Sequence, residues 1–320
     1  MKAVIAEGPG GPEVLKVADV ETPEPSKGEI LVCVKACGLN PVDYKIRQGY
    51  LSSDKKYPAI YGFDVSGIVE KAGSGVTGFS PGDEVFYYAD LDKQGAYAEY
   101  HTARAEIVRK KPEGLTHVEA ASLPLAGTTA WQGLFKQARL AFGETVVIVG
   151  AAGGVGSMAA QMTAWSGANV IAVCSSSNTE YVKKLGANHV VDYTKQDIAK
   201  AVLDITKGKG ADMALDTVGG DVFFETFKFL RPFGRVVFLN AFTAQTPMTS
   251  LNPARLKNIS ILCEFIHPSV ESLDFIATLA ERGFLKPQVE TVIPMDKIAH
   301  GHRRLETRRG WGKIVVDMSL

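Results

Sequence analysis

The chain has 320 residues, 46% of them hydrophobic, and contains no apolar run long enough to span a bilayer. Its 35 basic residues balance 35 acidic ones, so no net charge draws it to nucleic acid or an anionic membrane. The four cysteines (Cys33, Cys37, Cys174, Cys263) include no C-x-x-C pair and are too few for a disulfide scaffold, and "MKAVIAEGPGG" lacks the apolar core of a signal peptide. One large or two ordinary domains in a reducing, cytoplasmic compartment are expected.

Up to residue 122 the segments "MKAVIAE", "EILVCVKACG", "VSGIVEKAG", "DEVFYYA", "AYAEYHTA" and "EIVRKKP" read as short strands. Turn signals such as "GPGGP", "TPEPSKGE", "GSGV" and "SPGDE" punctuate them, which predicts an irregular β-barrel. From residue 123 the pattern becomes strands alternating with helices. The apolar runs are "TVVIV" (145–149), "NVIAVC" (169–174), "HVVDY" (189–193), "ADMALDT" (211–217), "GRVVFLN" (234–240) and "NISILCEF" (258–265). Such runs with amphipathic stretches between them predict an α/β unit over 123–265, a doubly wound parallel sheet buried on both faces. A helix near 270–283, a strand "QVETVIP", another helix and a strand "GKIVVDM" follow. These last strands lack a sheet of their own, so 266–320 is expected to complete the 1–122 domain.

"TVVIVGAAGGVGSMAAQMTAW" has strand, Gly-rich turn and helix in the order that a dinucleotide fingerprint requires. Gly153 would let backbone approach a pyrophosphate, and Gly156 would let helix and strand pack closely. The N–H groups of Gly153, Gly154, Val155 and Gly156, helped by the helix dipole, would bind the anion. Ala151 stands where the first glycine of G-x-G-x-x-G belongs, with Gly150 just before it. A tight turn that needs glycine only for packing is the alternative.

An acidic residue about 20 positions on would signal NAD. Here the second strand runs into Ser175, Ser176, Ser177 and Asn178, with no carboxylate before Glu180. Hydroxyls and an amide can accept a 2′-phosphate that a carboxylate would repel, and Tyr193 offers another donor. NADPH is therefore the expected cofactor. The turn has no arginine, which leaves the strength of that preference open, and the same serines could simply cap the next helix.

The order of parts resembles the medium-chain dehydrogenase/reductase superfamily along essentially the whole chain. The resemblance is carried by "GEILVCVKACGLNPVDYKIRQG", "PAIYGFDVSGIVEKAGSGVTGFSPGDEVF", "LPLAGTTAWQGLF", "GAAGGVG", "DTVGG" and "GKIVV". It is nearest the zinc-independent quinone oxidoreductases and the NADPH-dependent enone or alkenal reductases. It implies a GroES-like barrel joined to a Rossmann unit.

In zinc alcohol dehydrogenases of the superfamily the metal takes a Cys from a segment like "ACG", a His from "GHE" and a later Cys or acid. Here Phe63 stands in place of that His, with Asp64 beside it, and the third position falls on or near Leu125. A catalytic zinc needs three N, S or O ligands, so Cys37 is read as a buried residue and no metal is expected. Without zinc to polarise an oxygen, hydride is expected to go to an electron-poor acceptor, a quinone or an α,β-unsaturated carbonyl.

By resemblance, Asn40 lies near the nicotinamide ribose, Asp43 braces its loop and Lys45 reaches cofactor or acceptor oxygen. Tyr44, Tyr50 and Phe265 are candidate acceptor contacts. For Asp43, Lys45 and Arg47 a solvated turn with local ion pairs is the competing reading. Thr129 is expected at the nicotinamide side. Thr217 and Val218, after the fourth strand, face the adenosine half, and Phe238, Leu239 and Asn240, after the fifth, the nicotinamide. Ligands bind outside the carboxyl ends of strands in such sheets.

The edge strand 258–265 would expose an apolar row unless paired, so a homodimer through it is expected. Two other functions fit less well: a zinc-dependent alcohol dehydrogenase using ligands such as Cys37 and Asp64, and a non-catalytic NADPH-binding sensor or scaffold.

Overall fold

The computed structural model describes residues 1–50, 56–239, 251–263 and 267–320. The chain divides into two compact units: residues 1–128 with 267–283 and 287–320, and residues 129–266 with 284–286. In the first, β1 (Lys2–Ala6), β2 (Lys16–Asp19), β3 (Glu29–Gly38), β4 (Ala59–Ile60), β5 (Asp64–Ala72), β6 (Glu84–Tyr88), β7 (Tyr100–Arg104) and β8 (Arg109–Lys110) occur in turn. The second contains β9 (Thr145–Val149), β10 (Asn169–Cys174), β11 (His189–Asp192), β12 (Ala211–Asp216), β13 (Leu230–Phe238) and β14 (Ser260–Cys263). Back in the first unit lie β15 (Val289–Ile293) and β16 (Lys313–Asp317).

β3 organises the first unit. It pairs antiparallel with β5, β7 and β16, within a sheet ordered β15-β16-β3-β5-β6-β8. The register sets Val316 of β16 opposite Cys37 and Val65 of β5 opposite the same cysteine. A smaller sheet, β2-β1-β4, lies beside it. This is a GroES-like arrangement of short antiparallel strands.

The second unit is a six-stranded sheet ordered β11-β10-β9-β12-β13-β14, parallel at every pairing. Strands covered on both faces carry continuous apolar runs, and β9 and β10 do, burying Val146–Val149 and Val170–Cys174. The helix Gly154–Trp165 between them buries Met158, Ala159 and Met162. On one side of the sheet Phe223 packs against Phe227 at 5.0 Å and Phe238 at 4.9 Å between ring centroids. The strand order reverses between β9 and β12, the position where such sheets bind their ligands.

Several local expectations differ. Residues 41–47 form a helix rather than a loop, started by Pro41 at its first position, where a missing N–H costs nothing. β13 begins at Leu230, ahead of the expected 234, because Pro232 and Gly234 disguise its first half. "AYAEYHTA" is a strand only from Tyr100, its earlier part joining β1 through an Ala3–Ala98 bridge. β14 covers Ser260–Cys263; of the rest of the expected edge strand 258–265, Asn258 instead ends the helix Asn252–Lys257 in a left-handed conformation, Ile259 precedes the strand, and Glu264 and Phe265 lie outside the described residues.

Candidate functional site

The glycine turn after β9 is built for close approach. Gly150 has φ +76°, and a β-carbon there would come within 2.4 Å of Thr217 Oγ1. At Gly156 a β-carbon would lie 2.2 Å from the Gly150 carbonyl oxygen, so only glycine permits this packing. At Gly153 the nearest atom to an added β-carbon is 3.5 Å away, so this residue leaves open space over the backbone. Gly153 caps the helix Gly154–Trp165, whose first turn carries no acidic side chain. The leading N–H groups of a helix have no intrahelical acceptor, so Gly154, Val155 and Gly156 present donors to an anion. These residues fit the pyrophosphate of a dinucleotide.

Around this turn, Thr217 spends its hydroxyl on the Val149 carbonyl (2.8 Å), and Val218 is exposed. Leu239 is half-buried, its N–H donating to the Asp216 carbonyl at 3.2 Å. Phe238 turns its ring into the core against Phe223, leaving its backbone as what it can offer a ligand. Asn240 lies outside the described residues, as does Phe265.

At the end of β10, Ser175 Oγ is 3.0 Å from Ser177 Oγ, and Asn178 Nδ2 donates to Ser175 Oγ at 3.5 Å. One expectation needs correction here. The serine turn does have a carboxylate, supplied by the neighbouring strand. Asp192 ends β11 opposite Cys174 and accepts a hydrogen bond from Ser176 Oγ. Hydrogen bonds from Ser176 and Thr194 hold its pKa down to about 2, so it is ionised at neutral pH. Sequence distance hid it: 16 residues separate Ser176 from Asp192. Tyr193, next to it, is 56% exposed.

In the first unit the expected cleft residues fall into a buried polar cluster. Asp64 is fully buried; its Oδ2 accepts from Asn40 Nδ2 at 2.8 Å and Lys313 Nζ at 3.0 Å, and its Oδ1 from the Leu125 N–H at 2.6 Å. Lys313 Nζ also donates to the Leu39 carbonyl at 2.8 Å and to Asn40 Oδ1. Asn40 is thus buried with both ends of its amide engaged, a rigid corner of the fold.

Asp43 and Arg47 are buried too, which overturns the solvated-turn alternative for both. Asp43 Oδ2 accepts from the Asn40 N–H and from Tyr97 Oη, each at 2.7 Å. Its Oδ1 has no partner among the described residues. Arg47 is fixed by the Gly10 carbonyl at 3.0 Å and by Glu306. Its NH1 lies 3.1 Å from His302 Nδ1, and His302 Nε2 lies 3.2 Å from Tyr97 Oη. A guanidinium only donates, so Nδ1 is the lone-pair nitrogen and Nε2–H donates to Tyr97. One direction of donation therefore runs Arg47, His302, Tyr97, Asp43. Burial, with the Arg47 charge adding to it, pushes His302 down to about 3. Burial pushes Asp43 up to about 7 against its Asn40 and Tyr97 hydrogen bonds.

The remaining candidates are scattered. Tyr44 is buried, Lys45 half-buried and Tyr50 77% exposed. Burial, helped by the Arg308 charge, lowers the Lys45 pKa. Thr129 is buried in the helix Pro124–Trp131. Sequence reasoning missed Tyr97, His302 and Lys313 as members of the cluster. A lysine opening the apolar run "GKIVV" was the one available signal.

Strand order, glycine turn and open helix N-terminus together define a dinucleotide-binding α/β protein with a GroES-like partner unit. Residues 26–113 match the alcohol dehydrogenase GroES-like domain, and residues 154–303 match the zinc-binding dehydrogenase family. Bovine (Bos taurus) mitochondrial NAD(P)H oxidoreductase RTN4IP1 is 33% identical, over 91% of this chain and 82% of its own. Among solved structures, an NAD-dependent alcohol dehydrogenase superposes with TM-score 0.93 at 34% identity, covering 99% of this chain and all of that one. The quinone oxidoreductase from Coxiella burnetii does so with TM-score 0.90 at 32% identity, covering 99% of both. The chain belongs to the medium-chain dehydrogenase/reductase superfamily, in its quinone oxidoreductase-like branch, and is an oxidoreductase served by a nicotinamide cofactor.

The zinc implied by part of this superfamily does not fit the residues present. Phe63 is a fully buried aromatic, and Asp64 already accepts three hydrogen bonds, one from an ammonium that would repel a cation. Burial, then the Asp43 and Asp64 charges, drives the Cys37 thiol well above its ordinary pKa, away from the thiolate that metals need. Among the described residues no three His, Cys, Asp or Glu side chains group as ligands.

Three outcomes follow from the cluster. Lys313→Met leaves Asp64 charged and unpaired, and is expected to cost about 3–5 kcal/mol in urea unfolding, with Asp64→Asn in the same chain recovering part of the loss. Tyr97→Phe is expected to cost more at pH 8 than at pH 5.5, because Asp43 is mostly ionised only at the higher pH. A hydrogen bond to the charged carboxylate contributes about 1.5–3 kcal/mol, against about 1 to the neutral one. In the wild type the raised Asp43 pKa makes stability fall as pH rises from about 4 to 7, whereas the lowered His302 pKa makes it fall as pH drops from about 6.5 to 3. Between about pH 4 and 6.5 the two slopes oppose each other, so they are separated by comparing unfolding midpoints of the wild type with those of Asp43→Asn, which removes only the first.

Proposed function

We propose that the protein is an NADPH-dependent, zinc-independent reductase of quinones or α,β-unsaturated carbonyls. The closure of Asp64 carries this reading: Lys313, Asn40 and the Leu125 N–H occupy the oxygens that a metal would require. Without a Lewis acid to polarise an oxygen, the accessible reaction is addition of hydride to a carbon already made electron-poor by conjugation. The names of the Coxiella and bovine relatives, a quinone oxidoreductase and an NAD(P)H oxidoreductase, support that class.

The nicotinamide cofactor supplies the hydride when bound. Gly154, Val155 and Gly156 hold its pyrophosphate through N–H groups, Gly153, whose own N–H donates to the Gly150 carbonyl at 3.0 Å, gives it room to approach, and Ser175, Ser176, Asn178 and Tyr193 receive the adenosine ribose. Thr217 and Val218 border the adenosine half, and Thr129, Leu239 and the Phe238 backbone the nicotinamide half. Lys45, whose pKa is already lowered, donates to the acceptor oxygen as negative charge develops there. Tyr44 and Tyr50 contact the acceptor. Asn40 and Asp43 are positioning residues, held by Lys313 and Tyr97. Solvent supplies the single proton that follows, so one hydride and one proton add across the conjugated system and the nicotinamide is the only reductant required.

Two assembly features belong to the same reading. A homodimer forms through the edge strand β14, which shows only partial burial along its length. The compartment is reducing and cytoplasmic, in keeping with four free cysteines. Among the described residues no helix is long and apolar enough to cross a membrane. Light scattering after gel filtration is expected to return twice the 34.4 kDa chain mass. A single-chain mass at micromolar protein would refute the dimer.

The reaction is tested by following oxidation of NADPH and NADH over a panel of quinones and enones, before and after chelator dialysis, with metal analysis. Turnover of at least one acceptor class with substoichiometric zinc is expected. Stoichiometric zinc whose removal abolishes turnover would overturn the reading.

A further inference from the structure

The glycine turn directs attention to the end of the second strand of the sheet, where an acid binds the ribose in NAD-specific proteins of this architecture. Residue Cys174 occupies that end in β10, and the parallel register sets Asp192 of β11 directly opposite it. The Asp192 carboxylate is fixed from both sides. Its Oδ1 accepts from the Thr194 N–H at 3.0 Å and Thr194 Oγ1 at 2.6 Å, and its Oδ2 accepts from Ser176 Oγ. Its backbone N–H donates to Gln196 Oε1 at 3.0 Å, which ties down the turn beneath it. Lys195 Nζ stands 3.6 Å from Oδ2 on an exposed side chain, so it neutralises the charge only in part.

A hydroxyl has one proton to donate and two lone pairs to accept with. Ser176 and Thr194 both commit that proton to Asp192, and their oxygens, 3.3 Å apart, turn only lone pairs outward. A ribose 2′-hydroxyl can donate to such oxygens. A 2′-phosphate brings acceptors to acceptors and a negative charge toward an ionised carboxylate.

We propose that Asp192 is a specificity-determining residue of the cofactor site: it converts the Ser176 hydroxyl into an acceptor for a ribose 2′-hydroxyl and opposes a 2′-phosphate. The inference deepens the dinucleotide reading above and rests on it. Ser175, Ser177 and Asn178 remain to receive a phosphate, so the carboxylate narrows the margin for NADPH without closing the site to it. An asparagine at 192 would donate its amide to Ser176, release the serine proton toward the ligand and remove the charge.

The test uses the two adenosine halves as ligands, 2′,5′-ADP and 5′-AMP, with dissociation constants measured by calorimetry on the intact protein and no turnover involved. Asp192→Asn is expected to tighten 2′,5′-ADP about tenfold, the effect of removing one nearby like charge at a solvated site, while 5′-AMP is unchanged or weakened. Ser176→Ala, which keeps the carboxylate and removes the acceptor, is expected to weaken 5′-AMP several-fold and leave 2′,5′-ADP unchanged. Equal shifts for both ligands, or an unaltered 2′,5′-ADP constant in Asp192→Asn, would overturn the proposal. The wild-type ratio of the two constants separately tests the NADPH reading. Failure of the wild type to bind either ligand would remove the nucleotide site and this inference with it.

Discussion

The Asp64 carboxylate is the point on which the first unit depends. Three donors converge on it from separate places in the chain: an ammonium from β16, an amide from the residue opening the Pro41–Arg47 helix, and a backbone N–H from Leu125. A buried ion pair adds little net stability, because desolvation consumes most of the Coulomb gain. Its value lies in what it excludes. Any register in which β16 slides along β3 would leave a lysine and an aspartate buried without each other. The cluster therefore fixes where the last strand docks and, through Asn40, the geometry of the segment after β3.

The two units treat polar groups in opposite ways. In the first, charges go inside and are matched there: Asp64 with Lys313 and Arg47 with Glu306. In the second, Asp216 is buried at the end of β12 with its Oδ1 held by the Val218 and Gly219 N–H groups, while the polar groups proposed to bind ligand face outward, as helix N–H groups and as the hydroxyls around Asp192. One arrangement makes a stiff frame. The other leaves unsatisfied donors and acceptors where strands end, which is what a ligand needs. The chemistry proposed for the protein draws on both, with little demand on any single ionisable side chain.

Much of this was legible in the sequence because the second unit obeys local rules. β9 and β10 coincide with the apolar runs "TVVIV" and "NVIAVC", since strands covered on both faces must be apolar throughout. The glycine turn was legible for the same reason: Gly150 and Gly156 tolerate no β-carbon, so the chain has to show them. The first unit was harder. Its helix at Pro41–Arg47 has too few residues for a periodic signal, and β4 has only two residues. The buried cluster was invisible for a different reason. Asp64 and Lys313 are 249 residues apart, and Tyr97 and His302 are 205 apart. Asp192 likewise meets Ser176 only because two parallel strands end side by side, a relation that composition cannot express.

The same separation has a consequence during synthesis. As the polypeptide leaves the ribosome, Asp64 emerges long before Lys313, and the whole second unit is made in between. That unit takes nearly all its residues from one continuous stretch and can collapse while still tethered. The barrel must wait. Until β16 is released, a carboxylate destined for the interior lacks its counter-ion, and burying it alone is costly. The ammonium at 313 thus acts as a latch for a part of the barrel made 249 residues earlier.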